Sequence, residues 1–334
     1  MTEAFATLWD TAQCYLKANF FCRSQRWDAS QMPDQSGRVA IVTGGNTGIG
    51  LIACIELARR GAKVYMASRT ESRAKTAIAK IKKEVPEAKV EFLYFDLTIL
   101  SSAKKAADEF LAKEERLDIL LNNAGIMATP YELSPDGIEL QACNGTGHFA
   151  LTTLLLPILK KTSQLDNTHV RIVNLSSLAH NQTGTPSFTS LEGLNKKWGS
   201  NGTRYGQSKL TNILLTNELQ KRLQDTNIFC LSVHPGVVAT ELSRGIVKAT
   251  PVMGQLISAF CTNTWIFATP YAGAQTSLYA ATSLEIEQKN LKAGYLVPYG
   301  QVGRKSLLAQ DPDGKLGQEF WNLCEKLVAD AENK

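Results

Sequence analysis

Thr43-Gly44-Gly45-Asn46-Thr47-Gly48-Ile49-Gly50 is the stretch that decides the fold. A short apolar, β-branched run at 39–42 leads into it, and a helical pattern over 49–60 leaves it. Each glycine answers a separate need. Gly44 permits a tight turn, Gly48 lets backbone come close to a pyrophosphate, and Gly50 lets the helix pack closely on the strand. The N-terminus of that helix offers unpaired N–H groups and the positive end of its dipole to phosphate oxygens. Glycine triplets are common in strand–turn–helix units. This one opens the first βαβ unit of the chain, so it reads as a nucleotide cradle with Asn46, Thr47 and Ile49 on its rim.

Downstream, the sequence alternates strand-like and helix-like text. Strand-like runs fall at 39–42, 63–67, 90–95, 117–121, 170–175, 228–233 and 294–297. Helical patterns lie near 49–60, 71–85, 100–114, 136–161, 204–224 and 270–283. Apolar strands separated by helices predict parallel pairing with both faces of the sheet covered. Right-handed crossovers then give an α/β fold: a single doubly wound Rossmann-type domain with a parallel sheet of about seven strands. That domain is expected over 37–300, after a polar turn cluster at 32–37. It follows an N-terminal extension over 1–36 and precedes a tail and helix over 301–334. Two stretches break the alternation, 178–203 (rich in Thr, Ser, Asn and Gly) and 241–269. Both follow strands and should project from the carboxyl edge of the sheet, where such folds bind ligands. Ile257, Phe260, Trp265 and Phe267 make the second read as an apolar substrate lid.

Composition narrows the class further. The 334 residues are 44% hydrophobic and 20% charged, an ordinary globular balance for one large domain. A net charge of +5, with Lys and Arg dispersed among Asp and Glu, gives no basic groove for nucleic acid. Seven scattered cysteines form no CxxC pair, as expected of reduced thiols in a cytoplasmic protein. His180 and His234 have no second ligand at metal-binding spacing, so no metal is expected. No apolar run reaches the ~18 residues of a membrane span. Phe5, Leu8, Trp9, Ala12, Leu16 and Phe20 fall at helical spacing. Such a helix suits packing on the body or at a subunit contact, with peripheral contact at a membrane surface as the second reading.

The second strand-like run ends in Ser68-Arg69, where no acidic residue is present to accept bonds from the adenosine ribose hydroxyls. Ser68 could bond a 2′-phosphate and Arg69 could pair with it, which points to NADP(H) rather than NAD. Tyr205 and Lys209 lie four apart, on one face of a predicted helix. Chance supplies many such pairs, but this one keeps company. Asn122-Asn123-Ala124-Gly125 closes the fourth strand and Asn174-Leu175-Ser176-Ser177 the fifth. His234-Pro235-Gly236-Val237-Val238-Ala239-Thr240 follows the sixth.

Together these motifs resemble the short-chain dehydrogenase/reductase family over about residues 37–300. Asn144-Gly145-Thr146-Gly147-His148-Phe149 and the long segment before Tyr205 look like the branch of retinol dehydrogenases and WW-domain oxidoreductases. The run Gly294-Tyr295-Leu296-Val297-Pro298-Tyr299-Gly300 looks like fungal members of that branch. The resemblance implies a catalytic tetrad of Asn144, Ser177, Tyr205 and Lys209, with Ser177 chosen because the family's serine is the second of the pair. It also implies an adenine contact at Asp96 and Leu97, and an adenosine-ribose wall at Asn123, Ala124 and Gly125. A nicotinamide site would lie at Pro235, Gly236, Val238 and Thr240. One asparagine of the Asn-Asn pair is expected to serve the sheet instead.

Elementary chemistry agrees with the roles that the resemblance implies. A tyrosine titrates near about 10, a poor base at neutral pH. A Lys209 ammonium beside it, helped by the positive charge of the oxidised nicotinamide, is expected to favour the phenolate and lower that value. Tyr205 would exchange the proton with the substrate oxygen, and Ser177 would hold that oxygen. Lys209 would also bond the nicotinamide ribose, and Asn144 would hold a relay water. The expected protein is thus an NADP(H)-dependent oxidoreductase interconverting a lipophilic ketone or aldehyde and its alcohol, for which a place in specialised metabolism is one setting. Members of the family often pair through helices equivalent to 100–114 and 204–224, so a homodimer is the expectation for assembly. The alternative is a catalytically silent, NADP(H)-sensing regulator, against which the intact Tyr205/Lys209 pair argues. A nucleotide-sugar epimerase of the extended family is rejected, because its turn reads GxxGxxG and a larger C-terminal domain follows.

Overall fold

The computed structural model describes residues 27–238 and 268–332. The amphipathic segment at Phe5–Phe20, Thr240 and the lid residues through Phe267 lie outside them.

Seven parallel strands form the sheet in the order β3-β2-β1-β4-β5-β6-β7, and an eighth, β8, adds to the β7 edge. They are β1 Val39–Thr43, β2 Lys63–Ser68, β3 Lys89–Tyr94, β4 Ile119–Asn122, β5 Arg171–Leu175, β6 Phe229–Val233, β7 Tyr295–Val297 and β8 Gln301–Val302. Every residue of β1, β4, β5 and β6 is buried, which is why their text is largely apolar and does not alternate. The strand the sequence did not reveal is β8. It is two residues long, pairs antiparallel with β7, and is too short to carry a periodic signal.

Helices cover both faces. One face holds α1 Gly48–Arg59, α2 Glu71–Glu84 and, late in the chain, α7 Pro270–Thr282 followed by α8 Glu285–Gln288. The other holds α3 Leu100–Leu111, α4 Cys143–Ser163, α5 Leu191–Leu194, α6 Asn201–Arg222, α9 Leu307–Gln310 and α10 Lys315–Glu332. Two separate cores result. Ile41, Phe110, Leu155 and Phe320 belong to the second, and Val42, Leu57, Ile81 and Leu278 to the first. At the amino end of the described chain, Trp27 meets Tyr279 edge-on at 5.7 Å and Ala29 N–H donates to Gln275 Oε1 at 2.8 Å. This fastens the segment before β1 to α7.

The helix expected over 136–161 starts later, at Cys143. Ser134-Pro135-Asp136-Gly137 instead makes a tight turn. Ser134 N–H donates to Ile138 O at 2.7 Å, Gly137 takes φ +77°, and Leu133 bridges Glu139. Proline after serine, then Asp-Gly, is turn chemistry that outweighed the apolar spacing behind it.

Candidate active site

The chain order of strands reverses between β1 and β4, and the crevice at such a switch point is where open α/β sheets hold ligands. The turn after β1 opens onto it. Gly44 takes φ +65° and Gly48 +56°. A Cβ on Gly50 would lie 2.4 Å from Gly44 O and 2.5 Å from Asn123 Nδ2, so a side chain there would force the turn and the helix apart. Thr47 caps α1 in extended conformation without a side-chain hydrogen bond, which leaves the first-turn N–H groups of the helix for a ligand. Ile49 serves the core with its side chain, so only its backbone can face a nucleotide.

Thr43 stitches the crevice shut below this turn. Its Oγ1 accepts the N–H groups of Asn123 and Ala124, both at 2.9 Å, and meets His148 Nε2 at 2.9 Å. Asn123 Nδ2 donates to Thr43 O at 2.8 Å. Asn122 Nδ2 donates to Thr152 Oγ1 and to Asn174 Oδ1, and Asn174 Nδ2 continues to Thr216 Oγ1. Both asparagines of the pair thus spend their side chains on the sheet, where the sequence suggested that one would.

The adenosine end lies along β2 and β3. Ser68 is 6% exposed, and its hydroxyl has no partner among the described residues. Arg69, next to it, is exposed with no side-chain partner among the described residues. A buried hydroxyl left empty beside a free guanidinium fits a phosphate ester. Asp96 Oδ1 accepts from Thr98 N at 2.9 Å and Thr98 Oγ1 at 2.7 Å, while Leu97 is buried behind it. Gly125 follows β4, half-buried. Pro235 and Gly236 (φ +91°) follow β6, and Val238 bridges to Ala268 beside α7.

At the carboxyl end of β5 the catalytic candidates meet. Ser177 stands near enough to the Tyr205 phenol to pull its pKa down. Its Oγ also accepts Ala179 N–H at 3.2 Å, which leaves its proton free to donate. Ser176 is 2% exposed and donates to Lys209 O at 2.7 Å, so the first serine of the pair is structural. Lys209, also 2% exposed, donates from Nζ to Leu175 O at 2.8 Å and stands 5.5 Å from the Tyr205 ring centre. Asn144 is fully buried on α4. Its Oδ1 accepts Ile126 N–H at 2.8 Å, and its Nδ2 donates to Ile126 O at 2.9 Å and Ser208 Oγ at 3.0 Å.

Burial dominates the electrostatics of the site. Burial pushes the Tyr205 phenol up, with the neighbouring Ser177 hydroxyl pulling the other way. Burial instead pushes Lys209 itself down, to about 7. Desolvation disfavours the charged form of each buried group, and the Lys209 nitrogen is turned to the Leu175 carbonyl.

The family model for short chain dehydrogenases matches residues 38–250. The chain belongs to the short chain dehydrogenase family. An uncharacterised oxidoreductase of Schizosaccharomyces pombe is 40% identical over 309 residues, covering 91% of this chain and 89% of that protein. Retinol dehydrogenase 11 of Mus musculus is 43% identical over 253 residues, 75% of each chain. Among solved structures, an uncharacterised protein of Mycobacterium paratuberculosis aligns with a TM-score of 0.68 at 32% identity, over 91% of this chain and 98% of that one. The chain is therefore an oxidoreductase of a family acting on alcohol and carbonyl groups.

Sequence reading missed several residues that shape this short chain dehydrogenase's site. Arg204, beside Tyr205, is 5% exposed and donates to Glu139 Oε1 (3.1 Å), Lys197 O, Thr129 O and Asn201 Oδ1. Glu139 Oε2 in turn accepts Gln141 and Ala142 N–H at the start of α4. The pair locks the helix of Tyr205 to the helix of Asn144. Arg204→Met leaves Glu139 buried and unpaired, and is expected to cost about 3–5 kcal/mol of stability in denaturant unfolding. Gly206 was the one local signal on offer, a glycine inside a helical pattern.

Proposed function

We propose that this enzyme uses NADP(H) to reduce the carbonyl group of a lipophilic small molecule to the alcohol, with Tyr205 as the proton donor. The observation that carries the reading is the convergence of Ser177, Tyr205 and Lys209 at one strand end, beside an uncapped helix N-terminus. NADPH, when bound, supplies the hydride; the protein supplies position and the proton.

Gly44 to Gly50, with the open amides of α1, would hold the pyrophosphate, and Ser68 with Arg69 the 2′-phosphate. Asp96, Leu97 and the backbone of Asn123 to Gly125 would line the adenosine, and Pro235, Gly236 and Val238 the carboxamide. Beyond its bond to Leu175 O, Lys209 Nζ keeps at least one proton for the nicotinamide ribose in either protonation state. Ser177 would donate to the substrate oxygen as charge gathers on it. A Tyr205 phenol raised by burial stays protonated at neutral pH, which suits reduction. Asn144 has its amide protons and one lone pair committed, and its backbone carbonyl faces His148 Nδ1, so a relay water would take the second lone pair of Oδ1. Among the described residues no helix is long and apolar enough to cross a membrane.

The cofactor assignment has its own test. Titration with NADPH and NADH, followed by tryptophan quenching, is expected to give tighter NADPH binding. Arg69→Glu should weaken NADPH about 10- to 100-fold, the value of one charge-assisted hydrogen bond plus repulsion, and leave NADH little changed. Equal affinities in the native protein would refute the assignment.

A further inference from the structure

The turn that carries Ser177 is held from behind by a residue outside the tetrad. Ser177 caps a 3-10 turn, Leu178–Asn181, and His180 in that turn is fully buried. His180 Nδ1 lies 2.7 Å from Ser177 O, and Nε2 takes the backbone N–H of Ser306 at 3.1 Å. An amide N–H can only donate, so Nε2 carries no proton and Nδ1 carries the one of a neutral ring. His180 therefore donates to the Ser177 carbonyl, and its tautomer is fixed by a residue 126 positions away. Burial pushes the imidazole down to about 4, and nearby Lys305 opposes protonation further.

Ser306 lies in the segment that follows β8, and Lys305 pins that segment from the other side. Lys305 Nζ donates to Asn217 Oδ1 at 2.6 Å and Ala293 O at 2.7 Å. Asn217 belongs to α6, the helix of Tyr205. The segment thus touches both elements whose relative position sets the Ser177–Tyr205 contact.

We propose that His180 is a positioning residue, a neutral imidazole that couples the segment after β8 to the Ser177 turn and so aims the Ser177 hydroxyl. The inference rests on the role given to Ser177 and Tyr205 above. Asn in place of His180 keeps a donor near Nδ1 and loses the acceptor, whereas Gln keeps an acceptor near Nε2 and loses the donor.

The test pairs kinetics with nitrogen NMR on the full-length protein. With NADPH and an apolar ketone, His180→Gln is expected to lower kcat at least tenfold, with KM and NADPH Kd within about twofold. His180→Asn should recover kcat to within about threefold of the native enzyme. In histidine-labelled native protein, with the His180→Asn spectrum giving the assignment, His180 should carry its proton on Nδ1 from pH 6 to 8. Equal loss in both variants would reduce His180 to packing and overturn the inference, as would native rates in both, or a change in KM alone. An Nε2-protonated His180 overturns it whatever the rates. Native turnover that Tyr205→Phe leaves intact would instead sink the catalytic reading itself, a different result from native-like His180 variants beside a dead Tyr205→Phe.

Discussion

Tyr205→Phe is expected to lower kcat for carbonyl reduction by about 10²- to 10⁴-fold, the usual contribution of a positioned general acid, while NADPH binds as before. Lys209 Nζ stands 5.5 Å from the centre of the Tyr205 ring, Ser177 acts on its phenol, and removing one oxygen leaves the ring in place. A loss in kcat without a loss in cofactor affinity marks a group that acts in the transition state rather than in binding. Stopped-flow comparison of the single-turnover rate in the two proteins checks it, since product release then plays no part. A variant retaining more than a tenth of the native single-turnover rate would remove Tyr205 from the chemistry.

Gly206→Ala is expected to be nearly as damaging, for a purely steric reason. A Cβ at 206 would stand 2.6 Å from Ala179 O and 2.7 Å from Gln182 O, both backbone atoms of the turn that carries Ser177. Neither can rotate away, so turn and helix must separate by several tenths of an ångström. Overpacking of this kind costs about 1–3 kcal/mol of stability. The larger effect falls on rate, because a displacement approaching 1 Å between reacting groups costs on the order of 10²-fold. Thermal unfolding together with kcat should therefore separate a modest fall in Tm from a large fall in turnover. A fully active Gly206→Ala protein would mean that the Ser177 turn does not need its present distance from Tyr205.

Gly206 also marks the boundary of what the sequence could reveal. The parallel strands and the glycine turn were legible because they rest on local chemistry: fully buried strands read as largely apolar runs, and a left-handed turn reads as glycine. The helix start at Cys143 was misread where turn residues and apolar spacing overlapped. The environment of the site was not legible at all. Arg204 with Glu139, Thr43 with His148, and His180 with Ser306 join residues 65, 105 and 126 positions apart, and no periodicity encodes such pairings. Burial of Tyr205 and Lys209, which pushes the phenol up and the lysine down, was not legible either, because it depends on the elements packed around them.

The most direct measurement is NADPH consumption by the purified protein against a panel of apolar ketones and aldehydes, with the product mass determined and charged sugar acids as the contrast. The account predicts loss of NADPH absorbance for at least some apolar carbonyls, with one alcohol formed per NADPH and slower turnover of the charged set. Tight NADPH binding with no turnover of any carbonyl, in either direction, would contradict it and leave a nucleotide-sensing protein on the same fold.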